Sequence, residues 1–425
     1  MEEEFLHFIW TYQLFDHTDL TSINGEVVQI IHSGIHNTNS GPDFSEARIL
    51  IGANLWIGNV EIHVNTSDWF LHQHQLDAAY SNVILHVVYN HNTENWEKDQ
   101  ATYIPLIELK KRIDLHKYHE WKKLKTKKSW IPCESLIHNV PPIVISQMIN
   151  RMAIERLERK VKEVEILVDR LNGNWENALM QSIVSALGSK VNKDVFHSLA
   201  LILPFTLLKR FENDQEKLDA LIFGIAGFLD GNLRDKYPRA LQKQYFFLRR
   251  KFEFISIKPE RWKFMRMRPS NFPTIRLGQL SSLLSSWTSI CDLVFYKKDI
   301  SLLEGGFRKN IDPYWDSHYR FDVRSSDKKI KMGESMYNSI LINSIVPFMY
   351  AFGRRHDNEE IKSRALSFLE IIKPEKNAVI EKWNLLIGNS FNALESQGLI
   401  ELKNNYCSFK KCLSCKVGIW ILNNK

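Results

Sequence analysis

Residues 41–65 read GPDFSEARILIGANLWIGNVEIHVN. Ala47 to Ile51 and Leu55 to Val64 are rich in β-branched and large apolar residues. Between them Gly52-Ala53-Asn54 is a short glycine-bearing link of the kind that joins two antiparallel strands. Side chains alternate across a strand, so Trp56, Gly58, Val60, Ile62 and Val64 share one face. The other face begins apolar at Leu55 and Ile57, then turns polar at Asn59, Glu61, His63 and Asn65. Burying such a row without partners is costly, so it is expected to line a cleft.

The flanking sequence completes a domain. Upstream, Glu26 to Ile31 (EVVQII) reads as a strand between Gly25 and Gly34, and Phe5 to Phe15 suits a short helix. Downstream, Ser67 or Asp68 can cap a helix over Phe70 to Tyr80. Asn82 to Tyr89 (NVILHVVY) is a nearly continuous apolar run, as in a strand covered on both faces. The order helix, strand, strand, strand, helix, strand predicts an α/β domain over residues 1–105.

Beyond it the pattern changes. Residues 106–140 form a basic junction containing Trp130-Ile131-Pro132-Cys133, residues 141–400 are mainly helical, and residues 401–425 are a cysteine-bearing tail. The helical stretches expected are Ile143–Leu171, Glu176–Leu187, Lys193–Phe211, Gln215–Leu229, Gln242–Phe252, Ile275–Trp287, Ser335–Phe352, Glu359–Ile372 and Ala378–Gln397. Composition agrees with large folded cores: of 425 residues, 24 are Phe, 13 Tyr and 12 Trp, which excludes a disordered chain. No membrane span is expected, because the most apolar stretch, Leu199 to Leu208, is about half the length needed and contains Pro204. The acidic start Met1-Glu2-Glu3-Glu4 is unlike a secretory leader, and an odd count of five cysteines suits a reducing cytoplasm, the location expected for the chain.

The net charge of +7 is unevenly placed. Lys110 to Lys128 carries +7 and Arg249 to Arg268 carries +6, leaving the remainder at −6. Aromatics lie among both stretches, so Lys110, Lys111, Arg112, Lys122, Lys123, Arg249 and Arg250 are candidate contacts to a nucleic-acid backbone, with solvated helix faces as the plainer alternative.

The residues suited to chemistry lie between Asn39 and His91. If the two central strands pair, Asp43 comes close to Glu61 and His63. Two carboxylates on a hairpin suit a hard divalent cation, Mg²⁺ or Mn²⁺, which activates water and steadies the charge that builds on a phosphodiester. His63 could orient or deprotonate that water or donate to the developing charge. Asp68, His72, His74, Asp77 and His86 are expected in the same cleft, with His74 and Asp77 on one helix face. A His/Asp transition-metal site is a rival reading, and surface histidines a third.

Pro42-Asp43, followed after 17 residues by Glu61-Ile62-His63, resembles the motif of the PD-(D/E)XK nuclease superfamily, with His63 where a Lys is usual. The resemblance implies an αβββαβ, restriction-endonuclease-like core, with Asp43 and Glu61 as metal ligands and His63 in the third catalytic role. The chain as a whole resembles an uncharacterised bacterial domain-of-unknown-function family. That likeness is carried by Gly41-Pro42-Asp43-Phe44, Val60-Glu61-Ile62-His63, Ser67-Asp68-Trp69 with His72, His74 and Asp77, Arg268-Pro269-Ser270-Asn271-Phe272-Pro273, and the terminal cysteines.

Those cysteines form a separate constellation. Cys407-X4-Cys412-X2-Cys415 places three of the five within nine residues, with a tight Cys-X2-Cys end used for Zn²⁺ and for iron–sulfur clusters. Cys133 is the first candidate for a fourth ligand, and Cys291 or a histidine the next. Asp312 to Tyr319 reads as a packed aromatic turn, and Gly353-Arg354-Arg355-His356 as a helix end with favourable charges. No Walker-type loop, Gly-X-Ser-X-Gly elbow or dinucleotide fingerprint is present. The expectation is a metal-dependent nuclease or phosphodiesterase. The alternatives are a non-catalytic nucleic-acid-binding or assembly protein with a structural metal, and a His/Asp metalloenzyme acting on a small molecule.

Overall fold

The hairpin of residues 41–65 sits at the middle of a six-stranded mixed sheet: β1 (Val28–His32), β2 (Ile35–His36), β3 (Phe44–Ile51), β4 (Asn54–Asn65), β5 (Val83–Asn90) and β6 (Leu106–Glu108). The computed structural model describes residues 1–93, 96, 103–297, 301–388 and 391–424. The strands run in the order β1-β3-β4-β5-β6, with β2 beside β3. β3 runs antiparallel to its neighbours β1 and β4, whereas β5 and β6 continue parallel to β4. Register sets the chemistry. Phe44 pairs with Val60, which brings Asp43 level with Glu61, and Glu61 lies opposite His86 on β5. Gly58 is required where β4 passes β5, since a side chain there would press on Ile84 and on the Asn82 carbonyl, 2.7 Å away.

Helix α1 (Glu3–Thr11) buries Phe5, Leu6, Phe8, Ile9 and Trp10, and Phe5 stacks on Trp121 of α3 (Leu115–Thr126) at 5.3 Å between ring centres. The continuous helix expected over Phe70–Tyr80 is not formed. A single turn, α2 (Asp68–Leu71), ends before Gln73, whose φ of 61° is left-handed, and two short 3-10 turns, His74–Leu76 and Ala78–Tyr80, follow. Asp77 caps the second of these by accepting from the Ala79 N–H at 2.9 Å, which keeps the chain from resuming a continuous helix.

The chain divides into two compact units, 1–145 with 405–425, and 146–404. The basic segment after β6 and residues 405–425 belong to the same unit as the sheet. The second unit, which the long helix α4 (Pro142–Arg170) enters, is helical apart from the short antiparallel pair His318–Arg320 and Val323–Arg324. Its core includes Leu221, Ile222, Phe223, Ile275, Leu280, Phe348 and Met349.

Several expected helices are divided. Lys193–Phe211 breaks at Leu203-Pro204 into Lys193–Ile202 and Phe205–Arg210, because proline disfavours helix in the residue before it. Ser335–Phe352 contains a π-helical turn at Leu341–Ile345, ahead of Pro347. Ala378–Gln397 becomes Ala378–Ile387 and Ala393–Glu401; the first ends at Gly388, φ +99°, and residues 389–390 lie outside the described set. The 312–319 segment is a packed aromatic turn, with Tyr314 stacked on His318 at 4.0 Å and Trp315 buried. Among the described residues no helix is long and apolar enough to cross a membrane.

Candidate metal centre

Asp43 and Glu61 hold each other through the backbone. The Asp43 N–H donates to Glu61 Oε2 at 3.1 Å, and the Ile62 N–H donates to Asp43 Oδ2 at 3.0 Å. This reciprocal clasp keeps two carboxylates together despite their repulsion. Burial first, and the Asp43 charge second, push the Glu61 carboxyl up to about 9. The polar row of β4 therefore faces the interior rather than an open cleft: Glu61 is 4% exposed and His63 1%.

Imidazoles surround Glu61 Oε1, with His74 Nε2 at 3.3 Å and His63 Nε2 at 3.5 Å. His63 Nε2 also lies 3.2 Å from His72 Nδ1, and its other nitrogen meets His86 Nε2 at 2.9 Å. One nitrogen from each of His63, His72 and His74 falls within 4.8 Å of the other two. Burial, with the neighbouring His74 and His72, draws His63 down to about 4, and fully buried His86 is drawn well below the usual range. These rings are neutral near pH 7, the form that ligates metals. His74 stacks on Tyr80 at 3.8 Å, and a pocket of about 340 Å³ opens there, lined in part by Trp69, His74, Asp77 and Tyr80.

The polar atoms here are poorly satisfied. His74 Nε2 and His86 Nδ1 are buried without a hydrogen-bond partner, and so is His7 Nε2, although it lies 3.2 Å from Asp43 Oδ2. Buried imidazole nitrogens that converge on a carboxylate oxygen without hydrogen-bond geometry fit a divalent cation between them. Glu61 Oε1, His63 Nε2, His72 Nδ1 and His74 Nε2 are the atoms that could hold it.

Of the residues singled out in the sequence, the structure gathers Asp43, Glu61, His63, His72, His74 and His86. Asp68 lies at the edge, where its Oδ2 accepts from the Asn65 N–H at 2.8 Å, and Asp77 is a capping residue. His7 and Glu3 were not singled out. Their signal was present, since they stand one helical turn apart as polar interruptions of the apolar run in α1. Burial, then the Asp43 charge, raises the Glu3 carboxyl.

Many of the basic residues are engaged internally. Arg112 donates to the carbonyls of Asp16, Thr18 and Asp19 at 3.2, 2.8 and 2.9 Å. Lys122 pairs with Glu2, Lys123 with Glu120, Arg249 with Asp230 and Arg354 with Glu158 and Glu165. Lys110 donates to Asn90 Oδ1 at 2.7 Å, while Lys111 and Arg250 are exposed.

No curated protein and no solved structure matches the chain. A family model described as "Protein of unknown function (DUF2851)" matches residues 3–378, and the chain belongs to that family.

Proposed function

We propose that the first unit is a metal-dependent phosphodiester hydrolase acting on nucleic acid, with its centre at Asp43, Glu61, His63, His72 and His74. The observation that carries this reading is the convergence of the clasped carboxylates and three imidazoles on one space. The element order α1, β1, β2, β3, β4, α2, β5, which is αβββαβ but for the two-residue β2, with Asp43 entering β3 and Glu61 inside β4, supports the nuclease resemblance. Three nitrogen donors shift the preferred ion from Mg²⁺ towards Mn²⁺ or Zn²⁺. Such an ion, when bound, supplies Lewis acidity and lowers the pKa of water.

The chain's own residues do the rest. Glu61 and the histidines hold the cation, and neutral His63 serves as a ligand rather than as the permanent positive charge that a lysine would bring. Asp43, fixed by the Ile62 N–H, lies 3.2 Å from His7 Nε2 and orients that part-exposed ring beside the site. A second reading, hydrolysis of a small phosphoester, draws on the size of the pocket beside His74 and on the internal pairing of the basic residues.

Incubation of the purified chain with single- and double-stranded DNA and RNA, and with a small aryl phosphodiester, in Mn²⁺, Zn²⁺ or Mg²⁺ separates these readings. Cleavage of a nucleic acid that Asp43→Ala and Glu61→Gln abolish is expected. Turnover of the small ester alone selects the second reading, and nucleic-acid binding without metal-dependent cleavage selects a non-catalytic role.

A further inference from the structure

Outside the histidine centre, no further group of three or more His, Cys, Asp or Glu donors converges among the described residues, Cys133, Cys407, Cys412 and Cys415 included. The second unit instead holds a large basic cavity. We propose that this cavity binds a polyphosphate, two or more linked phosphates that are either inorganic or carried on a small organic molecule. All of its walls belong to the second unit, between Arg156 and Asn404, so the site is separate from the carboxylate–histidine centre.

Its volume is about 920 Å³, room for a ligand of nucleotide size and far more than a single phosphate fills. Five cationic side chains line it, Arg156, Lys190, Lys193, Lys373 and Lys376, against two carboxylates, Glu334 and Glu375. Two of the cations are answered within the chain, Lys373 by Glu334 at 2.9 Å and Arg156 by Glu401 at 3.2 Å. Lys190, Lys193 and Lys376 are exposed and form no ion pair among the described residues. Three like charges on one cavity repel each other, and an anion of several charges relieves that repulsion. Lysine ammonium groups bind phosphate as point charges and so tolerate a chain of phosphates in more than one register. These lysines converge on one cavity rather than track along a groove, which favours a small ligand over a nucleic-acid backbone.

The interior behind them is fixed. Glu375 accepts from Asn343 Nδ2 and from Gln397 Nε2, each at 2.9 Å, so both of its oxygens are engaged, and Asn343 Oδ1 accepts from Lys160. Asn343 stands in the π-helical turn Leu341–Ile345, an irregularity that gives up regular helix to re-aim a side chain and that recurs at functional sites. Burial first, and Arg156 second, draw the Lys160 ammonium down to about 7, and an anion in the cavity favours its charged form. The ten-residue helix Ala378–Ile387 begins in the wall, where the positive end of its dipole adds to the field of the lysines. Met336, Val379 and Ile400 supply an apolar stretch against which an organic body can lie.

The experiment is calorimetric titration of the full chain with pyrophosphate, ADP, ATP and citrate, in a chelator so that no divalent cation carries phosphate to the first unit. Saturable binding of the phosphates at one site per chain is expected, with citrate much weaker. ADP bound more tightly than pyrophosphate identifies a phosphate ester seated on the apolar wall, and equal binding identifies an inorganic chain. Lys190→Glu and Lys376→Glu change exposed side chains and leave the core untouched, which circular dichroism checks. Each should weaken binding by about tenfold or more, the effect of losing one charge-assisted contact. Arg170→Glu, the same change of charge at an exposed position in the last turn of α4, should leave binding as it was. A folded chain that binds neither pyrophosphate nor the nucleotides overturns the proposal. So does binding that the lysine variants leave unchanged, binding that Arg170→Glu weakens equally, or citrate held as tightly as the phosphates. A short oligonucleotide that binds where these probes do not, and is lost in the same variants, would assign the lysines to nucleic acid and also overturn it.

Discussion

Two buried carboxylates, one in each unit, differ in how fully the chain's own groups answer them. Asp219 in the second unit is 2% exposed and Glu61 in the first is 4% exposed. Asp219 is answered on both oxygens, by Tyr237 Oη at 2.8 Å and by Gln215 Nε2 at 3.0 Å, and its carboxyl rises only to about 6. Glu61 receives one backbone N–H, stands beside a second carboxylate, and rises to about 9. Its other oxygen faces imidazole nitrogens that make no hydrogen bond to it. A buried polar group that is fully paired stabilises a fold. One left facing imidazole nitrogens without hydrogen bonds is, under the proposed function, the place for a ligand from outside the chain.

The comparison is broken most severely by changing Glu61 itself. Glu61→Gln should lower metal-dependent hydrolysis by about 10²–10³-fold, as expected for loss of one element that holds charge in place. The metal-free variant should melt no lower than the parent chain, because the buried carboxyl without its cation costs stability. Parallel rate and melting measurements test both halves. Marked destabilisation with unchanged rate would make Glu61 an architectural residue.

The next effect belongs to the second unit. Phe223, fully buried and stacked on Trp315 at 5.3 Å, should cost about 3–5 kcal/mol on change to Ala. Urea unfolding measures this, and Mn²⁺ affinity of the folded variant should be unchanged. A large fall in affinity would mean that the two interiors do not act separately.

Asp219 gives a pH signature. Its carboxyl is raised from 3.8 to about 6, so the folded chain favours the protonated form relative to the unfolded chain. Measured against Asp219→Asn, the stability contribution is fully present below about pH 4, is lost as pH rises through about 6, and totals about 3 kcal/mol. Paired urea titrations across that range check the sign. A difference that grows with pH would show that hydrogen bonding outweighs burial at this carboxylate.

The smallest effect concerns Arg112. Because its guanidinium binds three backbone carbonyls, Arg112→Ala should lower stability by about 1 kcal/mol. It should leave the salt dependence of any nucleic-acid binding as it was. A reduced salt slope would return Arg112 to the phosphate-binding surface.

Much of this frame was legible in the order of residues. The hairpin and the buried run NVILHVVY follow from hydrophobic periodicity and glycine-bearing turns and lie within a few residues of their expected bounds, while the helical character of the second unit was legible but not every helix end within it. The carboxylate pair was legible because the turn sets the hairpin register to within a residue, whereas the bulge between Phe44 and Ala47 that brings Asp43 level with Glu61 was not. The histidine set was only partly so. His72 and His74 were expected on a helix, yet the Asp77 cap and the left-handed Gln73 break that helix, and the resulting turns bring His74 to Glu61 and His72 to His63. His7 was missed because its partner Asp43 is 36 residues away, and periodicity carries no information about which strand a helix covers. Arg112 and Lys122 were read as a charged surface because their partners, loop carbonyls and an N-terminal carboxylate, are also distant in sequence.

The most direct test of the central claim is a crystal structure of the chain soaked in Mn²⁺ or Zn²⁺, with anomalous scattering recorded at the absorption edge of the metal. The account predicts a peak at about 2.0–2.2 Å from Glu61 Oε1 and from nitrogens of His63, His72 and His74. That peak should be absent in Glu61→Gln crystals or sharply reduced. Saturating metal with no peak among these residues, and with the Glu61 oxygen instead hydrogen-bonded to His63 and His74, would contradict it.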